Sequence, residues 1–445
     1  MRQIKPATLL SGFGSNKKLY VLMLVAVVLI TIDSQIGYIA DFIPQQLSSN
    51  GGIAIFVAIA VVFVITQYLI LDYVNQSNKQ TRQRAPHLHI LHRGVVVGQY
   101  VLAAVLAFVI LQILLTQQYN VVSLSITYAI SYGLWIVTLA LLSNAFISWY
   151  RLSSKNVMVL ILAISMIAYV INGITGIATY FDMLSQQKPV VTSNDVAYFP
   201  EFSIESMGSQ IGLATQIAST VAYILTWVGS VKMLYPYIKK LGKTKFWIIM
   251  GVAMVYYLIS FPLFVLGYFT PSENVDAMTN ILIFSFAGIL SGIIFGAAFL
   301  SVAKTLRKDS TLRNYMIIAA YGFVLFYIAG SATAAQAAYP PYGIVSVSFT
   351  GLSCYLIYIG LYSSAVTVSQ DTALRLSIRK SLTDQLKFLH SMGTAHMEQE
   401  LSSSVLKIAK KHSDVLTDKT GVEASMTESD IKEYMSMVMD EIHKS

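Results

Sequence analysis

Three histidines, His87, His89 and His92, fall within six residues of one another, and three imidazoles at that spacing are the natural raw material of a zinc site. Arg82, Arg84 and Arg93 flank them, and cations so close oppose a bound dication, so no metal is expected; contact with anionic lipid headgroups is the better reading. Gly242, Lys243 and Thr244 end like a phosphate-binding loop. The glycine needed five positions earlier is Tyr237, and no strand precedes the stretch. His396, in His396-Met397-Glu398-Gln399-Glu400-Leu401, has a faint likeness to a sensor-kinase phosphoacceptor. The 49 residues that follow it are too few for an ATP-binding domain, so it reads as a solvated helix residue. No serine elbow, zinc-binding helix or dinucleotide fingerprint occurs. Soluble-type enzyme chemistry has no support, no cofactor is implied, and the lone Cys354 forms neither an intramolecular disulfide nor a thiolate cluster.

The remaining candidates lie inside apolar runs, where polar side chains are costly and usually functional. Asp33 is the deepest acid, Asp72 sits near the end of the second run, and no glutamate precedes Glu201. Asp33, Gln67, Asn172, Gln216 and Gln336 form the candidate ligand or ion pathway. The competing reading of Asp33 is a carboxyl that is hydrogen-bonded within a helix bundle or hydrated near the outer interface. Asn172 precedes Gly173 and Gly176, which suggests a local break. So few acids count against a proton-coupled carrier.

The elements that hold these residues follow from composition. The chain has 445 residues, 55% hydrophobic and 12% charged, about half the charge of a soluble protein at roughly 25%. Ten stretches, 19–40, 52–73, 94–116, 121–148, 156–181, 208–231, 247–269, 279–303, 314–338 and 343–366, reach the roughly 20 apolar residues that span a bilayer. Of the 30 Lys and Arg residues, 29 lie in the amino-terminal segment, the even-numbered loops and the tail. Lys188 alone lies in an odd loop. That alternation places both termini in the cytoplasm. The net charge of +8 is thus a topology signal and not a nucleic-acid footprint. The expected fold is an all-α polytopic membrane bundle of about ten transmembrane helices in the plasma membrane. It has a cytoplasmic segment 1–18, a bundle 19–366 and a helical cytoplasmic tail 367–445.

Gly288, Gly292 and Gly296 recur every fourth residue, as do Gly330, Ala334 and Ala338. Such small faces let helices approach closely, within the bundle or, in the second reading, in a homo-oligomer. Pro262 should kink the seventh span. In the tail, apolar residues from Leu374 to Ile408 recur every three to four positions. They predict an amphipathic helix continuing from the tenth span, with a break near Gly393. A last helix, about 428–443, presents Ile431, Met435, Val438 and Ile442 on one face, as a docking element for a cytoplasmic protein partner.

The turn Tyr339-Pro340-Pro341-Tyr342-Gly343 and the helix end Leu361-Tyr362-Ser363-Ser364-Ala365 lead to Asp371, Leu374-Arg375 and Ile378-Arg379-Lys380. Together with Gly393-Thr394-Ala395-His396-Met397-Glu398-Gln399-Glu400, this last quarter of the chain resembles uncharacterised multi-pass membrane proteins of ammonia-oxidising archaea. That group has no established activity, so the resemblance implies only an archaeal plasma membrane location. The reading that follows is a ligand-responsive receptor or signal-transducing module with a docking tail. The alternatives are a secondary transporter or channel for a small solute, or a membrane assembly subunit.

Overall fold

The computed structural model describes residues 15–39, 47–78, 86–152, 156–193, 195, 207–265, 274–307, 310–330, 338–380 and 384–420. The helices are α1 (Ser15–Ile39), α2 (Asn50–Ser77), α3 (Pro86–Thr116), α4 (Val122–Leu152), α5 (Val157–Ser185), α6 (Met207–Leu234), α7 (Lys243–Val265), α8 (Asn274–Thr305), α9 (Thr311–Gly330), α10 (Ile344–Gln370), α11 (Thr372–Lys380) and α12 (Asp384–Thr420). Among the described residues nine of these, α1 to α6 and α8 to α10, are long and apolar enough to cross a membrane. The seventh expected span falls on α7, which continues through Pro262 to Val265, and in part outside the described residues. With polar residues sparse and large apolar side chains such as Leu24, Ile90 and Leu115 left exposed on the outer helices, the protein is an integral multi-pass membrane protein.

The chain divides into two compact units, one of residues 1–145 and 161–364, the other of 146–160 and 365–445. In the first, α10 is the core. Every residue from Ile344 to Ser364 is buried, which suits a helix that is apolar on all sides. Lipid provides no hydrophobic drive between helices, so close backbone approach has to supply the packing. Gly322 of α9 and Gly360 of α10 provide it. A Cβ on Gly360 would stand 2.5 Å from the Ala319 nitrogen, and one on Gly322 would stand 2.8 Å from the Ile357 nitrogen. Gly292 and Gly296 of α8 meet α9 the same way, at Val324 and Ala320, beside the stacked Phe299 and Phe323 rings at 4.8 Å. Gly288 is half-buried. Gly330 is exposed at the end of α9 with open space around it, and Ala334 lies outside the described residues.

Two expectations fail for one physical reason. Asn172, Gly173 and Gly176 do not break α5. A Cβ on Gly173 would stand 3.0 Å from Ile136 Cγ1, and one on Gly176 would stand 3.1 Å from Tyr132 Cε1, so the two glycines admit α4. In the second unit Gly393 does not break the tail helix but lies inside α12 and seats it against Val368. Among the described residues the break comes at Asp371, whose carboxylate caps α11 through the Leu374 N–H (2.9 Å). His396 is also not solvated. It is buried edge-on to Trp149, with ring centroids 5.9 Å apart, and 3.4 Å from Glu400, whose carboxyl burial pushes up. Asn156 donates to Ser391 Oγ (2.9 Å) in the same unit. The docking residues Ile431, Met435, Val438 and Ile442 lie outside the described residues.

One element has no counterpart in the sequence reading. Gln118–Asn120 and Val190–Thr192 pair as a short antiparallel ladder, with Tyr119 opposite Val191. The buried Tyr119 hydroxyl, its pKa raised by burial, donates to the Ala338 carbonyl at 2.8 Å.

Candidate functional site

Asp33 is wholly buried near the end of α1 and accepts three hydrogen bonds. They come from the Gly343 N–H (3.1 Å), the Ser346 N–H (2.8 Å) and the Ser346 hydroxyl (2.7 Å). The two N–H donors lie in the first turn of α10, at the positive end of its dipole, where amides lack a partner within the helix. Alongside, burial and then the charge of Asp33 push the Tyr342 hydroxyl up to about 12, and it donates to the Gly52 carbonyl at 2.6 Å. Asp33 therefore fastens the entry of α10 through hydrogen bonds within the bundle. The far end of α10 is held by Asn78. Its Oδ1 accepts from Ser363 (3.0 Å) and Tyr315 (3.2 Å).

Between these ends, α1, α2 and α3 enclose a crevice of about 850 Å³. Its walls are apolar, from Val21 and Val25, Val62 and Ile65, and Val96 and Ala103. Its polar groups include Gln67, His92 and Gln99, the hydroxyl-bearing Thr66, Tyr68 and Tyr100, and Asp72 and Asn75 farther along α2. Gln67 Nε2 donates to the Gln99 carbonyl (3.4 Å), and Gln99 Nε2 donates to the Ser348 carbonyl (3.5 Å). His92 Nδ1 lies 2.7 Å from the Tyr355 hydroxyl. His92 and Gln99 are seven residues apart on α3, and Ser348 and Tyr355 are seven apart on α10 in the opposite sense. Two helical turns bring each pair back to one face, so the crevice floor is stitched to the buried helix at two levels.

No protein family, curated protein or solved structure matches the chain.

Of the five expected pathway residues, only Gln67 lines this crevice. Asn172 and Gln216 are half-buried on α5 and α6, with their carbonyls taken by Thr175 and Thr220, and Gln336 lies outside the described residues. His92 is not a headgroup contact. It is buried against α10, because the helix entering the bundle begins at Pro86 and carries it inward, while His89 on the same helix is exposed. Among the described residues no three metal-ligating side chains cluster. The sequence reading passed over Gln99. Its signal was an amide inside the third apolar run, two turns beyond a histidine.

The floor thus holds two buried amide oxygens without a hydrogen bond among the described residues and joins α3 to α10 through Ser348 and Tyr355.

Proposed function

We propose that this protein is a ligand-responsive receptor of the plasma membrane, with both termini in the cytoplasm, in which the α1–α2–α3 crevice binds and α10 carries the response to the tail. The observation that supports this most is the double stitch from the crevice floor to α10, Gln99 to Ser348 and His92 to Tyr355. Pairs of contacts two turns apart resist independent movement, so a ligand that shifts α3 biases the position of α10 as a body. That helix continues to Gln370, directly before the α11 and α12 segment that carries the tail's charge. The charge alternation across the loops supports the orientation, and the resemblance in the last quarter supports an archaeal plasma membrane. The tail is proposed to engage a cytoplasmic protein.

The test compares a host strain lacking the gene with one producing residues 1–383 at wild-type membrane abundance. The receptor reading expects the truncated strain to reproduce the transcript changes of the null strain. A truncated strain indistinguishable from wild type overturns it and leaves transport as the reading to pursue.

A further inference from the structure

The crevice floor holds two acceptors that have no partner among the described residues. Gln67 and Gln99 are 3% and 1% exposed, and the Oε1 of each lacks a hydrogen bond. Their orientation is not arbitrary. The Nε2 of each faces a main-chain carbonyl, Gln99 O and Ser348 O. Turning either amide over would set oxygen against oxygen, since a carbonyl accepts only. Both Oε1 atoms are therefore committed as acceptors, and a buried acceptor left unpaired is costly.

The walls say where a partner would come from. Val21, Val25, Ile65, Tyr68 and Tyr100 line the crevice and are exposed, yet they lie in spanning segments. The opening thus faces hydrocarbon. No Lys or Arg lines the crevice, so nothing there would hold an anion. Asp72, its one carboxylate, already accepts from Gln76 Nε2 at 2.8 Å. The volume falls within the range of about 300–1,000 Å³ usual for ligand sites.

We propose that the crevice takes up a neutral, membrane-dissolved amphiphile whose head donates a hydrogen bond, a lipid-like alcohol or phenol, to Gln67 Oε1 or Gln99 Oε1. This rests on the crevice being the receptor's ligand site. An acceptor-only head such as an ether or ketone would leave both oxygens unpaired. An ammonium would be drawn to Asp72, farther along α2, and away from the two glutamines.

The experiment uses the full chain in dioleoylphosphatidylcholine vesicles and compares 1-hexadecanol with hexadecyl methyl ether, two probes of near-equal apolarity that differ in the donor. The alcohol, with its single O–H donor, is expected to bind about fivefold more tightly, as one neutral hydrogen bond would provide. In the Gln67→Leu, Gln99→Leu double variant the difference should vanish while the ether's affinity changes less than about twofold. Because the wild-type comparison needs no variant, a misfolded mutant does not spoil it. Equal binding of alcohol and ether by the wild type overturns the proposal and means that water satisfies the floor. Tighter binding of hexadecylamine or palmitate than of the alcohol also overturns it. If discrimination holds while tail truncation is silent in the host, the ligand class stands and the receptor reading falls.

Discussion

Replacing Asp33 tests how the central helix is anchored. Its carboxylate accepts from the amides of Gly343 and Ser346 and, at the shortest of the three distances, from the Ser346 hydroxyl, which also lies 3.2 Å from the Ile30 carbonyl. Asp33→Ala removes all three bonds and leaves buried donors at the head of a helix that has no water to turn to. Hydrogen bonds to a charged acceptor contribute about 1.5 kcal/mol each at the low end of their range, so the two amide bonds account for about 3 kcal/mol, while the Ser346 hydroxyl keeps the Ile30 carbonyl. Asp33→Asn is a graded case. Both Ser346 bonds converge on Oδ2, so an amide oxygen placed there keeps them. The amide NH₂ then faces the Gly343 N–H, and one bond is lost with a donor set against a donor, about 2 kcal/mol in all. Unfolding free energies from SDS titration in bicelles would read the series. The expected order is wild type, then Asn, then Ala. An Asp33→Ala protein within about 1 kcal/mol of wild type would refute the anchoring role.

Three more outcomes follow. Gly360→Ala forces a Cβ to 2.5 Å from the Ala319 backbone and should cost about 2 kcal/mol or more in the same titration; Gly251→Ala, with open space around it, should be neutral or stabilise by up to about 1 kcal/mol. Hydrogen bonds from Lys188 and then from Thr192 lower the Asp195 pKa to about 2. A depressed carboxylate stabilises above its unfolded value, about 3.9, and loses that contribution as pH falls through about 2. Carbon-13 NMR should show Asp195 titrating near 2 in the wild type and higher in Lys188→Ala, and no change would contradict the pairing. Tyr119→Phe leaves the Ala338 carbonyl without its donor and should cost about 1 kcal/mol.

How much of this was legible depended on the range of the interaction. Span lengths are local, and nine of the ten expected stretches coincide with long apolar helices among the described residues. Lys188, the lone cation of the odd loops, finds Asp195 seven residues on. The spacing of Gly292 and Gly296 marked a close approach, but Gly322, Gly351 and Gly360, which admit α9 and α4 to α10, repeat at no spacing of four and gave no such sign. Glycines next to a polar residue looked like breaks at Asn172 and in the tail because sequence alone does not separate a helix that bends from one that is pressed. The site was the least legible. Asp33 stood out as an acid, yet its partners lie more than three hundred residues away. His92 took the character of its arginine neighbours in the sequence reading, whereas the fold turns it toward Tyr355.

The central claim is that the crevice floor and the tail are linked through α10. Hydrogen–deuterium exchange of the tail segment 384–400 in the full-length protein tests it most directly, comparing wild type with His92→Phe, which cuts the 2.7 Å contact to Tyr355. Tyr223→Phe serves as the control, since it removes hydroxyl contacts to Ala253 and Ser291. The account predicts altered exchange in that segment for His92→Phe and wild-type exchange for Tyr223→Phe. Unchanged exchange in His92→Phe, or the same change in both variants, would contradict it.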